Sequence, residues 1–531
     1  MVAKLNRSSI TPQRLFSEVA KPKIKRSVFP RNHFWSGTFP GDKLIPVFWD
    51  RVLPGDTMEL KVNTLIRYNT LIKPIQASQY CDIHFFFVPN RLTWVNFKKF
   101  MGEQDDPGDS IDFTMPTVPS TPTTGWSIGG NFDYLGFPPL TTGIEVTADV
   151  TRSLALIYKR WFRDQNLIDS SVVDTDNGPD DPTDYDTLFT RAKSKDYFTS
   201  ALPTPQKGDP ITISFGTEAP VTGVGKQTQT YSVSSQAVYE TDGSGTTTYT
   251  SSANPFSDNF FFEMDPNNTG YPNLRADLSQ STGITVNAFR QYNAIQVFVE
   301  RDNRSGTRYN EMTYSHFGVL SEDYRVQDPE LIGIVSSDVR IQAVQQTGET
   351  STTPQGNLAA QGTIQVRGRA FTKSFTEHGI IMGLMSIRTD QMYQQGIPRI
   401  ASYSTRYDFF WPEFAHLGEQ AILNKEIYAQ GTSADDDVFG YQERWNELRY
   451  KESIVTGHYR SNSPTSLDSW HLAQDFASLP VLNETFVNQD TPYDRVVAVT
   501  SEPDFNGQVW FDYKCTRPMP VRSIPSLSTR I

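Results

Sequence analysis

The sequence predicts a mainly β fold with long loops, and three observations carry that prediction. Glycine and proline number 34 each, aromatic residues reach 12% and hydrophobic residues only 37%, a mixture of many turns around a core filled by large rings. Residues 362–416 hold two different strand patterns in succession. Ile364, Val366 and Ala370 alternate with Gln365, Arg367 and Arg369, the period of a half-buried strand; Ile380–Ile387 is apolar almost without a break, which suits a strand covered on both faces. Finally, Met58, Leu60 and Val62 alternate near one end of the chain, as Val509, Phe511, Tyr513 and Cys515 do near the other. At 531 residues, two or more domains are the default expectation.

In chain order, residues 1–31 lack an apolar period and read as an extended arm. Strands follow at Leu44–Trp49, Thr57–Tyr68 and Tyr80–Val88, then a short helix over Trp94–Met101. Residues 102–143 read as loop. Val150, Leu154, Ile157, Tyr158 and Trp161 predict an amphipathic helix over Asp149–Leu167. Asp174–Asp186 reads as a solvated acidic loop, because Gly178 stands where a calcium loop needs an oxygen ligand and no glutamate closes it. Residues 216–282, rich in Ser, Thr and Gly, have no sustained period. Helical spacing returns over Thr285–Arg301, where Glu300 and Arg304 stand four residues apart, and over Arg308–Phe317, ended by Gly318. The rings Tyr403, Tyr407, Phe409, Phe410 and Trp411 read as the middle of a thick core. Pro412–Tyr428 reads as mostly helix, Val438–Tyr459 as mixed, and Pro518, Pro520 and Pro525 prevent regular structure in the tail.

The charge is unevenly placed. Net charge is −12, yet residues 1–31 hold eight lysines and arginines against Glu18 alone, and residues 514–531 hold four with no acid, leaving −23 for the rest. An acidic body with two basic ends points to an anionic partner at those ends. Lys21, Lys23, Lys25 and Arg26, followed by Phe29, Arg31, His33, Phe34 and Trp35, interleave cations with rings. Phosphate neutralisation combined with base stacking holds single strands without reading their sequence. Cys81 and Cys515 are too few for a disulfide framework, which suggests a reducing compartment. The start of the chain lacks the apolar stretch of a signal peptide, and no apolar run is long enough to span a bilayer, so a soluble protein without membrane insertion is expected.

The sequence carries no recognisable catalytic or metal-binding motif. The seven histidines are scattered, and His416 with Glu419 makes only a lone pair on the expected helix. Gly223–Lys226 lacks the first glycine and the final hydroxyl of a phosphate loop. Asp435, Asp436 and Asp437 read as a solvated run. No catalytic residue, cofactor or metal is expected, although carboxylate pairs for glycan cleavage are invisible in a sequence.

Long segments resemble the major capsid proteins of gokushoviruses, the small single-stranded-DNA bacteriophages of the Microviridae. Among them are RSVFPRNHFWSGTF (26–39), VLPGDT (52–57), FFFVPNRLTW (85–94), GITVNAFRQYNAIQVFVERDNRSGTRYNE (283–311), RYDFFWPEFAHLGEQAILNKEIY (406–428) and RPMPVRSIPSL (517–527). The resemblance implies a single eight-stranded antiparallel jelly roll whose long loop insertions contain several helices. It implies sixty copies in a T=1 icosahedral shell around circular single-stranded DNA, in virions assembled in the bacterial cytoplasm. An internal scaffolding protein, a small basic DNA-binding protein and a host surface receptor are the further partners it implies. Where the family often carries an acidic residue near Asp50, this chain has Arg51.

The expected layout is a basic interior arm at 1–39, a capsid domain over 40–531, a variable surface insertion at 216–282 within it, and a basic tail at 514–531. Lys21, Lys23, Lys25, Arg26, Arg31, Arg517 and Arg522 are the candidate DNA contacts. Phe260, Phe261 and Phe262, rings in a polar stretch, are the candidate contacts around a threefold axis, with the insertion tip as the candidate receptor contact. Strand Val509–Cys515 is expected beside Thr57–Tyr68. The alternatives are a glycan-binding or glycan-cleaving β-sandwich and a cellular single-strand-binding protein.

Overall fold

The computed structural model describes residues 24–211, 221–222, 224–226, 236–239, 246–249, 260–262, 267, 274–276 and 285–522. The chain divides into two compact units, residues 1–205 with 302–531, and residues 206–301.

The first unit is built on ten strands: Ser27–Pro30 (β1), His33–Phe39 (β2), Ile45–Val52 (β3), Thr57–Tyr68 (β4), Gln79–Pro89 (β5), Glu330–Gln345 (β6), Leu358–Ile364 (β7), Arg367–Ser374 (β8), Gly379–Thr389 (β9) and Phe505–Arg517 (β10). Their order is β1–β10–β4–β7–β6–β5–β9–β3, with β2 also on β10 and β8 also on β4, every pairing antiparallel. β1 and β2 are one strand interrupted at Arg31 and Asn32, and β7 and β8 are one interrupted at Gln365 and Val366. Counted so, eight strands form two sheets of four: β1/β2–β10–β4–β7/β8 and β6–β5–β9–β3. They are joined along β6, whose first part pairs with β5 and whose second part pairs with β7. This is the strand order of a jelly roll, a double sheet that leaves few open edges.

The core lies between the two sheets. Phe48 of β3 meets Phe85, Phe511 and Tyr513 at ring distances of 6.0, 5.1 and 5.3 Å, and Met58, Leu60 and Val62 are buried beside them. β10 lies against β4 from Phe505↔Tyr68 to Thr516↔Thr57, so the strand expected beside Thr57–Tyr68 is there. Alternation in β4 holds as expected because its other face meets water. β9 is buried on both faces, as its unbroken apolar run suggested. Gly383 within it faces the Phe85 ring, where an added Cβ would lie 2.7 Å from a ring carbon.

What covers the second sheet is the helix Ala148–Ile157 (α1). Val150, Leu154 and Ile157 pack with Phe86, Val88, Ile380, Met382 and Leu384 in a second cluster. The helix continues as one wider turn over Tyr158–Phe162 and stops there, short of the expected Leu167.

Several expectations need correction. Residues 102–143 are more than loop: Trp126 and Phe132 stack 4.6 Å apart in a small core of their own. The acidic segment 174–186 is not uniformly solvated, because Asp180 is buried and accepts a 2.7 Å bond from Nε of the fully buried Arg152. Pro412–Tyr428 is not mostly helix. Gly418 at φ +86° turns the chain, Glu419–Leu423 pairs with Val438–Glu443, and one helical turn, Asn424–Ile427, follows. Tyr407, Phe409, Phe410 and Trp411 lie at the surface, not in the core. Residues 27–39, read as part of the arm, are the first strand, and Lys514–Arg517 of the expected tail belong to β10.

In the second unit the described pairings are nested. Val221–Thr222 pairs with Arg275–Ala276, Val224–Lys226 with Phe260–Phe262, and Gln236–Tyr239 with Thr246–Tyr249. Three nested antiparallel ladders mean that the chain doubles back on itself. The helix Val286–Ser305 (α2) begins after them. Tyr309–Phe317 (α3), in the first unit, ends at Gly318 with φ +68°, as expected.

Candidate nucleic-acid and assembly surfaces

The two basic ends leave the fold at one place. Antiparallel pairing of the first strand with the last sets Ser27 opposite Arg517, so Ile24–Arg26 and Pro518–Arg522, all exposed, continue from neighbouring strand ends. Lys25, Arg26 and Arg522 face solvent there, and Arg26 Nη2 donates to Thr57 Oγ1 at 2.6 Å. Lys21 and Lys23 lie outside the described residues.

Arg31 and Arg517 are held differently. Arg31 pairs with Asp50 and sits 5.5 Å over the Tyr513 ring. The Tyr513 hydroxyl donates to the same carboxylate at 2.7 Å; burial, then the Asp50 charge, raises its pKa. Arg517 Nε donates to the buried Asp56 at 2.9 Å, and its Nη2 to the Arg51 carbonyl at 2.6 Å. Burial opposes the Arg517 charge, but the bond to Asp56 outweighs it and holds the guanidinium above its usual pKa. Both arginines therefore fasten the sheet ends, with their charge already matched. Arg51 donates to Asp149 Oδ1 at 2.9 Å and to Thr147 Oγ1 at 2.7 Å, anchoring the start of α1.

A second feature is apolar. In α3 and the segment after it, Phe317 is 79% and Leu320 75% exposed, with Tyr309, Tyr314 and Val319 also bare. In the second unit, α2 has no buried residue and leaves Val286, Phe289 and Ile295 open. Rings left open on connecting segments are what a surface looks like before a neighbour covers it. Tyr407, Phe409, Phe410 and Trp411, whose clustering in the sequence suggests core, are bare in the same way. Phe260–Phe262 form a strand against Val224–Lys226, which also accounts for the glycine-lysine stretch there.

The buried carboxylates are engaged. Arg399 reaches Glu426 at 2.8 Å and Glu447 at 3.8 Å. Tyr197 donates to Glu426 at 2.9 Å, and Tyr403 and Gln420 donate to Glu447 at 2.9 and 2.7 Å. These groups hold the 419–447 hairpin in place. Glu419 pairs with Arg304, so neither the expected His416–Glu419 pair nor the Glu300–Arg304 pair forms; Glu300 accepts from Gln296 at 2.8 Å. Among the described residues no group of three or more His, Cys, Asp or Glu could hold a metal ion, and no helix is long and apolar enough to cross a membrane.

An eight-stranded jelly roll with long, ring-bearing connections and basic strand ends fits a shell-forming coat protein. The family described as capsid protein (F protein) matches residues 17–527. The chain is 42% identical to capsid protein VP1 of Bdellovibrio phage phiMH2K, over 97% of this chain and 98% of that one. It is 38% identical to capsid protein VP1 of Chlamydia phage 1 and 35% identical to that of Spiroplasma virus 4, each over 96% of this chain and 97% of the relative. The chain belongs to this family of phage capsid proteins, in its gokushovirus branch of the Microviridae, and its role is that of a major capsid protein.

Proposed function

We propose that sixty copies of this chain close a T=1 shell around circular single-stranded DNA, and that the chain does so without catalysing a reaction. The observation that carries this reading is the set of bare rings on the connections of a jelly roll, which a second copy of the same chain would cover. The basic ends line the interior, with Lys21, Lys23, Lys25, Arg26 and Arg522 on phosphate. The 216–282 insertions of three subunits meet around a threefold axis through Phe260–Phe262, leaving a polar tip for the host surface. A scaffolding protein and a small basic DNA-binding protein assist assembly in the host cytoplasm.

Particle mass is the first test. Sixty chains of 60.0 kDa give roughly 3.6 MDa, whereas a glycan-acting β-sandwich would run as a small oligomer. Changing Lys21, Lys23, Lys25 and Arg26 to Gln is expected to lower packaged DNA while shells still form. Deleting residues 228–252 is expected to leave filled particles that adsorb poorly; normal adsorption would remove the receptor role.

A further inference from the structure

We propose that the outer face of the first sheet is a stacking platform for single-stranded DNA, separate from the basic ends. The inference rests on the reading that the shell packages such DNA. Strand alternation sends Met58, Leu60, Val62, Val509, Phe511 and Tyr513 inward, where all are buried. The residues between them face away from the core. Strand register sets Phe34 opposite Trp510, Trp510 opposite Asn63, and Asn63 opposite Arg367. The two rings stack, with centroids 5.5 Å apart and planes 14° from parallel. Phe34 is 55% and Trp510 50% exposed, so this pair serves no core of its own chain.

Cations lie beside the rings on β4, β8 and β10. The next row along the strands holds Asp512, Lys61 and Arg369; the row beyond adds Lys514 and Glu59; and Arg67 stands on the other side. Five cations against two carboxylates make this face positive in a chain of net charge −12. Among the described residues, Arg67, Arg367 and Lys514 make no ion pair. Lys61 approaches Glu59 only at 3.9 Å, and Arg369 Nε donates to Thr372 at 3.0 Å.

This combination selects its ligand. Rows about 7 Å apart on strands about 4.8 Å apart put charges beside the two open rings, on the side of β10, β4 and β8. Bases stack on such rings whatever their identity, and phosphates pair with the neighbouring lysines and arginines. A duplex hides its base faces, so the rings favour single strands. The core of a protein–protein contact is depleted of charge, which argues against a second subunit as the occupant. Lys25, Arg26 and Arg522, exposed beside the end of the same sheet, extend its positive charge, so one strand of DNA passes from them onto this face.

Two measurements decide it. Ultraviolet cross-linking of intact wild-type particles, followed by peptide mapping, is expected to give DNA adducts on Phe34 or Trp510. With the full-length unassembled chain and labelled oligo(dT), the double variant F34A/W510A is expected to bind about tenfold more weakly or worse, with its melting temperature nearly unchanged. R367Q/K514Q is expected to reduce the slope of log affinity against log salt by about 1.4. Adducts confined to the basic ends, with wild-type binding by F34A/W510A, would overturn the platform and leave packaging intact. Equal affinity for duplex and oligo(dT) would overturn it too, and particles without DNA would overturn both readings. Were the double variant to misfold, adducts in wild-type particles would still decide the matter.

Discussion

The two sheets share one core and differ on the sides that turn away from it. Outside the second sheet, Phe86, Val88, Ile380, Met382 and Leu384 lie under α1 and its neighbouring loops. Outside the first, Trp510, Asn63, Lys61 and Lys514 meet water. Burying a side chain such as leucine or methionine contributes roughly 1.5–3 kcal/mol, so the loops over the second sheet are part of what keeps the subunit folded. The first sheet is stabilised from one side only. Its outer face is free to carry charge and bare rings, and that freedom is what a capsid protein needs where it meets something other than itself.

The largest expected effect strikes the covered side. Arg152 on α1 is 0% exposed, and Asp180 provides its buried counter-charge. Asp180→Ala leaves that charge only the exposed Asp176 carboxylate, 3.3 Å away, and is expected to cost about 3–5 kcal/mol in denaturant unfolding. A loss below about 1 kcal/mol would mean that α1 is not tied down by this pair.

Next comes a direct comparison of the two outer faces. Met382→Ala, under α1, is expected to destabilise by about 2–5 kcal/mol. Trp510→Ala, on the bare sheet, removes a larger side chain yet is expected to cost about 1 kcal/mol or less, chiefly its stack on Phe34. Equal costs would erase the distinction between the faces.

The effect confined to the narrowest range of conditions concerns the crossing from β2 to β3, where Asp42 accepts bonds from the Thr491 amide and hydroxyl at 2.6 and 2.8 Å. Burial, with Asp490 adding to it, raises its pKa from 3.8 to about 6 despite those bonds. The folded state thus binds this proton more tightly than the unfolded chain. The resulting stability is complete below pH 3.8 and lost as pH rises to about 6, at most about 3 kcal/mol in all. Asp42→Asn is expected to flatten that part of the pH profile; an unchanged profile would place the titration elsewhere.

Much of the sheet architecture was legible because water writes the pattern. Thr57–Tyr68 alternates since one face is wet, and Ile380–Ile387 does not since neither is. The rings at 407–411 misled for the complementary reason: an aromatic residue left at the surface of the subunit looks, in sequence, like one destined for the core. Pro412–Tyr428 has helical composition, but Gly418 and the pairing of Glu419–Leu423 with a distant strand override local propensity. The basic ends were readable as runs of charge. That Arg31 and Arg517 fasten Asp50 and Asp56 was not, because those contacts exist only once the first and last strands lie side by side. Phe34 and Trp510 share a site for the same reason, from opposite ends of the chain.

Electron cryomicroscopy of the assembled, DNA-filled particle tests the account most directly. The bare outer face of the first sheet is expected to line the lumen, with nucleic-acid density over Phe34 and Trp510, while bare rings of the connecting segments are buried between subunits. A shell in which that face points outward, or is covered by a neighbouring subunit, would contradict the account.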